Sequence, residues 1–157
     1  MIYYTLNIGD LLVSQNKQVT FTCFGLGSCI GLFLQDRTLG LSGGAHIQLP
    51  SNCPSPKSID KYYTVNGSID QLLTQFKSKG STTLNLRAKI VGGSSLFSCR
   101  YQIGKKNTDD AIDQLVRSCI FLAATDVGGQ LSRTAYFDCS TGVMTVRNPE
   151  TNEIKTY

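Results

Sequence analysis

Over the first third of the chain, apolar and β-branched residues come in short runs with turn formers between them. Residues 3–6, 11–14, 18–24, 29–34 and 39–46 predict five strands, punctuated by Gly9-Asp10 and Asn16. Gln35-Asp36-Arg37 is the predicted turn between the fourth and fifth. Pro50, Pro54 and Pro56 remove backbone donors and fix φ, so 50–58 is a loop. The period then changes. Ser68-x-x-Gln71 forms a capping box, Ile69, Leu72, Leu73 and Phe76 recur at helical spacing, and Lys79-Gly80 closes that helix. A second helix is predicted from Asn107 or Thr108, with Asp109 and Asp110 in its first turn and a core stripe of Ile112, Leu115, Val116 and Cys119. Residues 84–91 and 121–127 predict strands running into Gly92-Gly93 and Gly128-Gly129. Residues 134–138 and 143–147 flank Cys139-Ser140-Thr141-Gly142, a hairpin turn. The order predicts an α+β fold in which two main helices cover one face of layered, mixed β-sheet.

Length and composition narrow the class. A chain of 157 residues fits one domain, 1–157, with no linker. No apolar run approaches the ~20 residues of a bilayer span, and Met1-Ile2-Tyr3-Tyr4 lacks the basic and apolar regions of a signal peptide, so a cytoplasmic protein without membrane insertion is expected. In that setting the six cysteines are reduced thiols. With one histidine and no Cys-x-x-Cys pair, no metal site is predicted. Gly25-x-Gly27 lacks the remaining residues of a phosphate-binding loop, so no cofactor is expected. The charge of +4 is diffuse, which argues against nucleic acid and favours an acidic protein partner.

The candidate chemistry lies at Gly25-Leu26-Gly27-Ser28-Cys29 and at His46. A thiol on a glycine-rich bend stands clear of the backbone, and seventeen positions later the only histidine returns on the next strand. Cysteine reacts as the thiolate, and a neighbouring imidazolium lowers the thiol pKa. A lone histidine and a small buried cysteine are equally compatible with ordinary packing.

The segments 22–30 and Ala45-His46-Ile47-Gln48-Leu49-Pro50 resemble the chemoreceptor glutamine deamidase family, CheD. There a G-L-G-S-C-V stretch carries the nucleophile and A-H-x-x-L-P its histidine. Lys89-Ile90-Val91-Gly92-Gly93-Ser94-Ser95-Leu96-Phe97 is similar to the family's K-I-x-G-G-A-x-M-F, Ile103-Gly104-Lys105-Lys106-Asn107 to its I-G-x-x-N, and Asp126-Val127-Gly128-Gly129 with Arg133 to its D-x-G-G-x-x-x-R. The resemblance implies a layered β/β/α sandwich related to the deamidase domain of cytotoxic necrotising factor toxins. It implies protein-glutamine glutaminase activity on methyl-accepting chemotaxis receptors, with Cys29 as nucleophile through a thioester and His46 as acid and base. A CheC-type phosphatase is an implied partner, and the chain alone is expected to be a monomer. Two alternatives are a catalytically impaired adaptor and a thiol switch, the latter prompted by Cys23 lying six residues before Cys29.

One position departs from the family, whose members carry a third site residue, threonine, six residues before the nucleophile. Here that position is Cys23, and Thr22 lies one further back. In a regular strand Cys23 faces the site and Thr22 faces away. A residue inserted between Thr22 and Gly25, taken up as a β-bulge, would instead return Thr22 to the site face. The span from Gly9 to Cys29, one residue longer than in relatives, favours the bulge.

Overall fold

The computed structural model describes residues 1–56, 58–96 and 101–157. Phe97 of the Lys89–Phe97 stretch and Cys99, one of the six cysteines, lie outside them. Ten strands and two α-helices alternate as β1 (Ile2–Thr5), β2 (Leu11–Ser14), β3 (Val19–Leu26), β4 (Ile30–Asp36), β5 (Leu41–Ile47), α1 (Val65–Ser78), β6 (Leu86–Gly92), α2 (Ile103–Arg117), β7 (Phe121–Val127), β8 (Arg133–Asp138), β9 (Met144–Arg147) and β10 (Ile154–Thr156).

The strands form two five-stranded sheets, in the orders β1-β3-β8-β9-β10 and β2-β5-β4-β6-β7. Each contains one parallel pair, β1 with β3 and β6 with β7, so both are mixed. Both helices pack on the second sheet, α1 against β5 and β2 and α2 against β7, β4 and β6. The result is the predicted β/β/α layering.

Two cores follow from it. Ile30, Leu32, Leu34, Ala45, Ile47, Ile69, Leu72, Phe76 and Leu115 fill the space between helices and sheet. Phe21, Cys23, Leu26, Phe33, Val91, Phe137 and Met144 fill the space between the sheets. Strand β4 faces both, so all seven of its residues are buried and its apolar run is nearly continuous rather than alternating. Phe33 stacks on Phe137 with ring centroids 5.0 Å apart, joining one sheet to the other.

The helix starts differ from the pattern. Thr64 caps α1 by accepting from the Gly67 amide, and Ser68 is buried inside the first turn with its hydroxyl donating to the Tyr62 carbonyl. Helix α2 opens at Ile103, earlier than Asn107, because Gly104 lets its first turn lie directly on backbone: a Cβ there would sit 2.3 Å from the Ser94 carbonyl oxygen. Its buried face is Gly104, Asn107, Thr108, Ala111 and Leu115, whereas Val116 is exposed and Cys119 lies past the helix end. The edge strand β10 was not predicted.

Replacing Phe33 with alanine removes the inter-sheet stack and leaves a cavity between layers. A loss of about 3–5 kcal/mol is expected, read as a lower midpoint in urea at unchanged slope.

Candidate functional site

The ladder between β4 and β5 pairs Ile30 with Ile47 and Gly31 with His46, so Cys29, two residues before Gly31, and His46 stand at the same end of the ladder. Side chains alternate along a strand, and the positions on the inter-sheet side are Gly31 and Phe33 of β4 and Ser42, Gly44 and His46 of β5. The packing agrees: a Cβ at Gly44 would touch Leu6, Phe33 and Phe21, and Cys29 packs on the inter-sheet core. Both site residues therefore point between the sheets. Cys29 is half-buried, while His46 is only 4% exposed.

Burial makes the hydrogen bonding of His46 decisive. Its Nδ1 lies 2.9 Å from the Leu6 carbonyl oxygen, an acceptor only, so Nδ1 carries the proton and Nε2 the lone pair. Nε2 is buried and has no hydrogen-bond partner among the described residues, Cys29 included. The backbone of His46 is held by its own edge strand: its amide donates to the Asp10 carbonyl and its carbonyl accepts from the Gly9 amide. Desolvation lowers the His46 pKa, opposed by the Leu6 hydrogen bond and the Asp10 charge. Desolvation alone raises the Cys29 thiol. Burial thus works against both charges of a thiolate–imidazolium pair, pushing the thiol up and the imidazole down.

The strand β3 resolves where Thr22 and Cys23 stand. Thr20 pairs with Asp138, Phe21 with Phe137, Thr22 with Tyr136 and Cys23 with Ala135 in unbroken register, and the shift comes between Cys23 and Leu26. A bulge is present, but it follows Cys23 instead of preceding it, at Gly25 with φ +61°. It does not bring Thr22 round. Cys23 is fully buried beside Phe21, and its Sγ would be 3.5 Å from a Cβ on Gly31, the residue opposite His46. Thr22 points to the other face, with Oγ1 buried and unpartnered. Burial, with a smaller contribution from Cys29, drives the Cys23 thiol far above its ordinary value, so it is a neutral group.

The bend that carries Cys29 is held on three sides. The Gly93 amide donates to the Cys29 carbonyl at 2.9 Å and the Ser94 amide to the Gly27 carbonyl at 2.8 Å. Arg133 donates through Nε to Asp126 at 2.8 Å, through Nη1 to the Ser94 hydroxyl at 2.6 Å and through Nη2 to the Gly128 carbonyl at 2.7 Å. Tyr157 donates its hydroxyl to the other Asp126 oxygen. Asn107, fully buried on α2, donates to the carbonyls of Ser28 and Gln48. Among the described residues, the amides of Ser28 and Cys29 donate to no acceptor. Beside the bend a cavity of about 220 Å³ is lined by Ser28, Ser94, Leu96, Gln102, Ile103 and Gly104.

In the sequence Asn107 reads as a helix start and as the asparagine of the I-G-x-x-N stretch, Asp10 as a turn former and Leu6 as a strand end, none of them as part of the site. One signal was available, since Asn107, Ala111 and Leu115 fall on a single four-residue stripe, which puts a polar side chain in the core.

Two mixed five-stranded sheets with both helices packed on one of them define a β/β/α protein. The comparisons carry this to a family. A profile described as CheD chemotactic sensory transduction matches residues 48–148, beginning just past His46. A probable chemoreceptor glutamine deamidase CheD of Desulfitobacterium hafniense (strain DSM 10664 / DCB-2) is 34% identical over 148 residues, covering 91% of each chain. A match of that extent leaves too few residues outside it to omit Cys29 or His46. Proteins of the same description from Clostridium tetani and Pyrococcus abyssi are each 33% identical, over 92% and 90% of this chain and 90% and 89% of theirs. The chain belongs to the CheD family. Among solved structures, Bacillus licheniformis protein YfiH superposes with a TM-score of 0.48 at 14% identity, over 76% of this chain and 49% of that one. Neisseria meningitidis NMB0706 gives 0.44 at 12%, over 77% and 52%, so this chain spans about half of each. Among the described residues no helix is long and apolar enough to cross a membrane.

The raised thiol has a direct consequence for alkylation. At pH 6 iodoacetamide should modify the exposed Cys119 before Cys29, and the Cys29 rate should climb with pH beyond the ordinary thiol range near ~8.5. Peptide mass spectrometry after brief labelling reads the order, and Cys29 leading at pH 6 would mean an ion pair after all.

Proposed function

We propose that the protein hydrolyses glutamine side-chain amides of chemotaxis receptors to glutamate and ammonia, with Cys29 as nucleophile. The observation that carries this is His46 at the ladder end next to the Cys29 bend, its Nδ1 tied to the Leu6 carbonyl and its buried Nε2 without a partner among the described residues. A base whose lone pair faces the site and whose proton faces the protein is set to accept from a thiol. The family relatives, named chemoreceptor glutamine deamidases, supply the substrate class.

In the first half-reaction Nε2 takes the thiol proton as sulfur attacks the amide carbon, and the same proton passes to the departing nitrogen, leaving a thioester and ammonia. Water then enters, gives a proton to Nε2 and cleaves the thioester, restoring the thiol. The amides of Ser28 and Cys29, which find no acceptor among the described residues, are the donors for the oxyanion of both steps. Starting from a neutral pair suits this chemistry: proton transfer accompanies attack, and the buried charges exist only while the oxyanion does. An adaptor that binds a CheC-type phosphatase is the second reading, favoured by Cys23 standing where a hydroxyl would orient the histidine.

Ammonia release and the amide-to-acid mass change in a purified receptor cytoplasmic fragment test the proposal. Cys29→Ala should abolish both, and His46→Gln should lower kcat by roughly 10²-fold or more. Since burial lowers the His46 pKa, the base stays neutral on acidification, and the acid limb of kcat/KM should fall below pH ~6.5. Retained deamidation by folded Cys29→Ala would end the assignment.

The β3 register adds a second expectation. Cys23→Ala should lower activity, Cys23→Thr should raise it, and Thr22→Ala, which removes an unpartnered hydroxyl from the other face, should change it less than threefold. The reverse order in kcat would transfer the role to Thr22.

A further inference from the structure

Asn107 touches no candidate reacting atom, yet its carboxamide joins the two segments that carry them. Its Nδ2 donates one hydrogen to the Ser28 carbonyl at 2.8 Å and the other to the Gln48 carbonyl at 2.9 Å. Two acceptors that cannot donate identify that end as the nitrogen. Ser28 precedes Cys29 by one residue, and Gln48 follows His46 by two. A single planar group of fixed width therefore sets the separation between the nucleophile bend and the end of β5.

The bond to Ser28 does more than hold distance. A trans peptide is planar, with its carbonyl and N–H directed oppositely. Pulling the Ser28 carbonyl toward α2 turns the Cys29 N–H away from α2, and that amide has no acceptor among the described residues. The rest of the side chain is enclosed, with Oδ1 buried and unpartnered. An uncompensated acceptor in a protein core is costly, so packing alone would favour an apolar residue here. A donor pair needed for positioning accounts for an asparagine.

We infer that Asn107 is the positioning residue of the oxyanion site: it aims the Cys29 amide at the developing oxyanion and fixes the spacing of Cys29 from His46. This rests on the deamidase reading above. It separates two reactions of the same sulfur. Deamidation passes through a tetrahedral oxyanion and needs the amide aimed. Displacement of iodide from iodoacetamide forms no oxyanion and needs only the thiolate.

The test measures both reactions in wild type, Asn107→Ala and Asn107→Asp. The two variants should lose about 10- to 100-fold in kcat on the receptor fragment, as expected for a misaimed donor. KM and the rate of Cys29 alkylation should stay within about twofold. Asn107→Asp keeps the shape but cannot donate when ionised; protonated, it donates one hydrogen, so its activity relative to wild type should recover as pH is lowered. Equal losses of alkylation and kcat would reduce Asn107 to a packing element and overturn the inference, as would unchanged kcat in both variants of an active enzyme. An inactive wild type would remove the deamidase reading, and the inference with it. A measurement without mutation stands beside these: the Cys29 amide of the wild type should exchange with deuterium without protection, and strong protection would show it committed to an internal acceptor.

Discussion

Close contact of backbone with backbone beneath the nucleophile is the constraint on which the site depends. A Cβ on Gly92 would lie 2.2 Å from the Cys29 carbonyl oxygen, and one on Gly93 would lie 2.0 Å from the Thr108 hydroxyl. No side chain fits in either place. The end of β6 can therefore lie directly under the bend, the Gly93 and Ser94 amides can take the Cys29 and Gly27 carbonyls, and α2 can approach through Gly104. Every later contact, including the Asn107 clamp and the Arg133 fan onto Ser94 and Gly128, uses the proximity these glycines allow.

Burial sets the chemical state of the site as firmly as contact sets its shape. His46 is enclosed between sheets and Cys29 half-enclosed, so burial raises the thiol and lowers the imidazole. A charged pair in the same place would need compensating partners, and Cys29 packs on Phe21, Phe33, Leu26 and Val91, while the Asp10 charge supports the imidazolium of His46. The single tie from Nδ1 to the Leu6 carbonyl fixes the ring without adding charge, which leaves the reactive nitrogen defined before any substrate arrives.

How much of this was legible in the sequence depended on how far each signal is local. The strands from β1 to β9 and the existence of both helices follow from period and punctuation, which are local. The early start of α2 does not: Gly104 and the basic pair Lys105-Lys106 are poor helix openers, and only the backbone of Ser94, close in space, explains them. The short edge strand β10, with an exposed lysine between Ile154 and Thr156, carried too little pattern to be seen. Cys29 and His46 were visible through a family resemblance, but the facing of Thr22 and Cys23 was not. Parity along a strand reverses at a bulge, and the sequence contained the extra residue without its position. Gly25 was the available clue, because positive φ falls most readily on glycine.

The strand that presents Cys23 also governs when a working site can exist. Strand β3 pairs with β1 at its start, yet its other neighbour is β8, so Thr20 waits for Asp138 and Leu26 for Arg133. Pairing across so long a stretch of chain is slow to form, and during synthesis it cannot form until most of the protein has emerged. The segments bearing Cys29 and His46 are made early, whereas Asn107, Arg133 and the closing sheet all come from the later half. The enclosure of the thiol is thus completed by residues that leave the ribosome long after it.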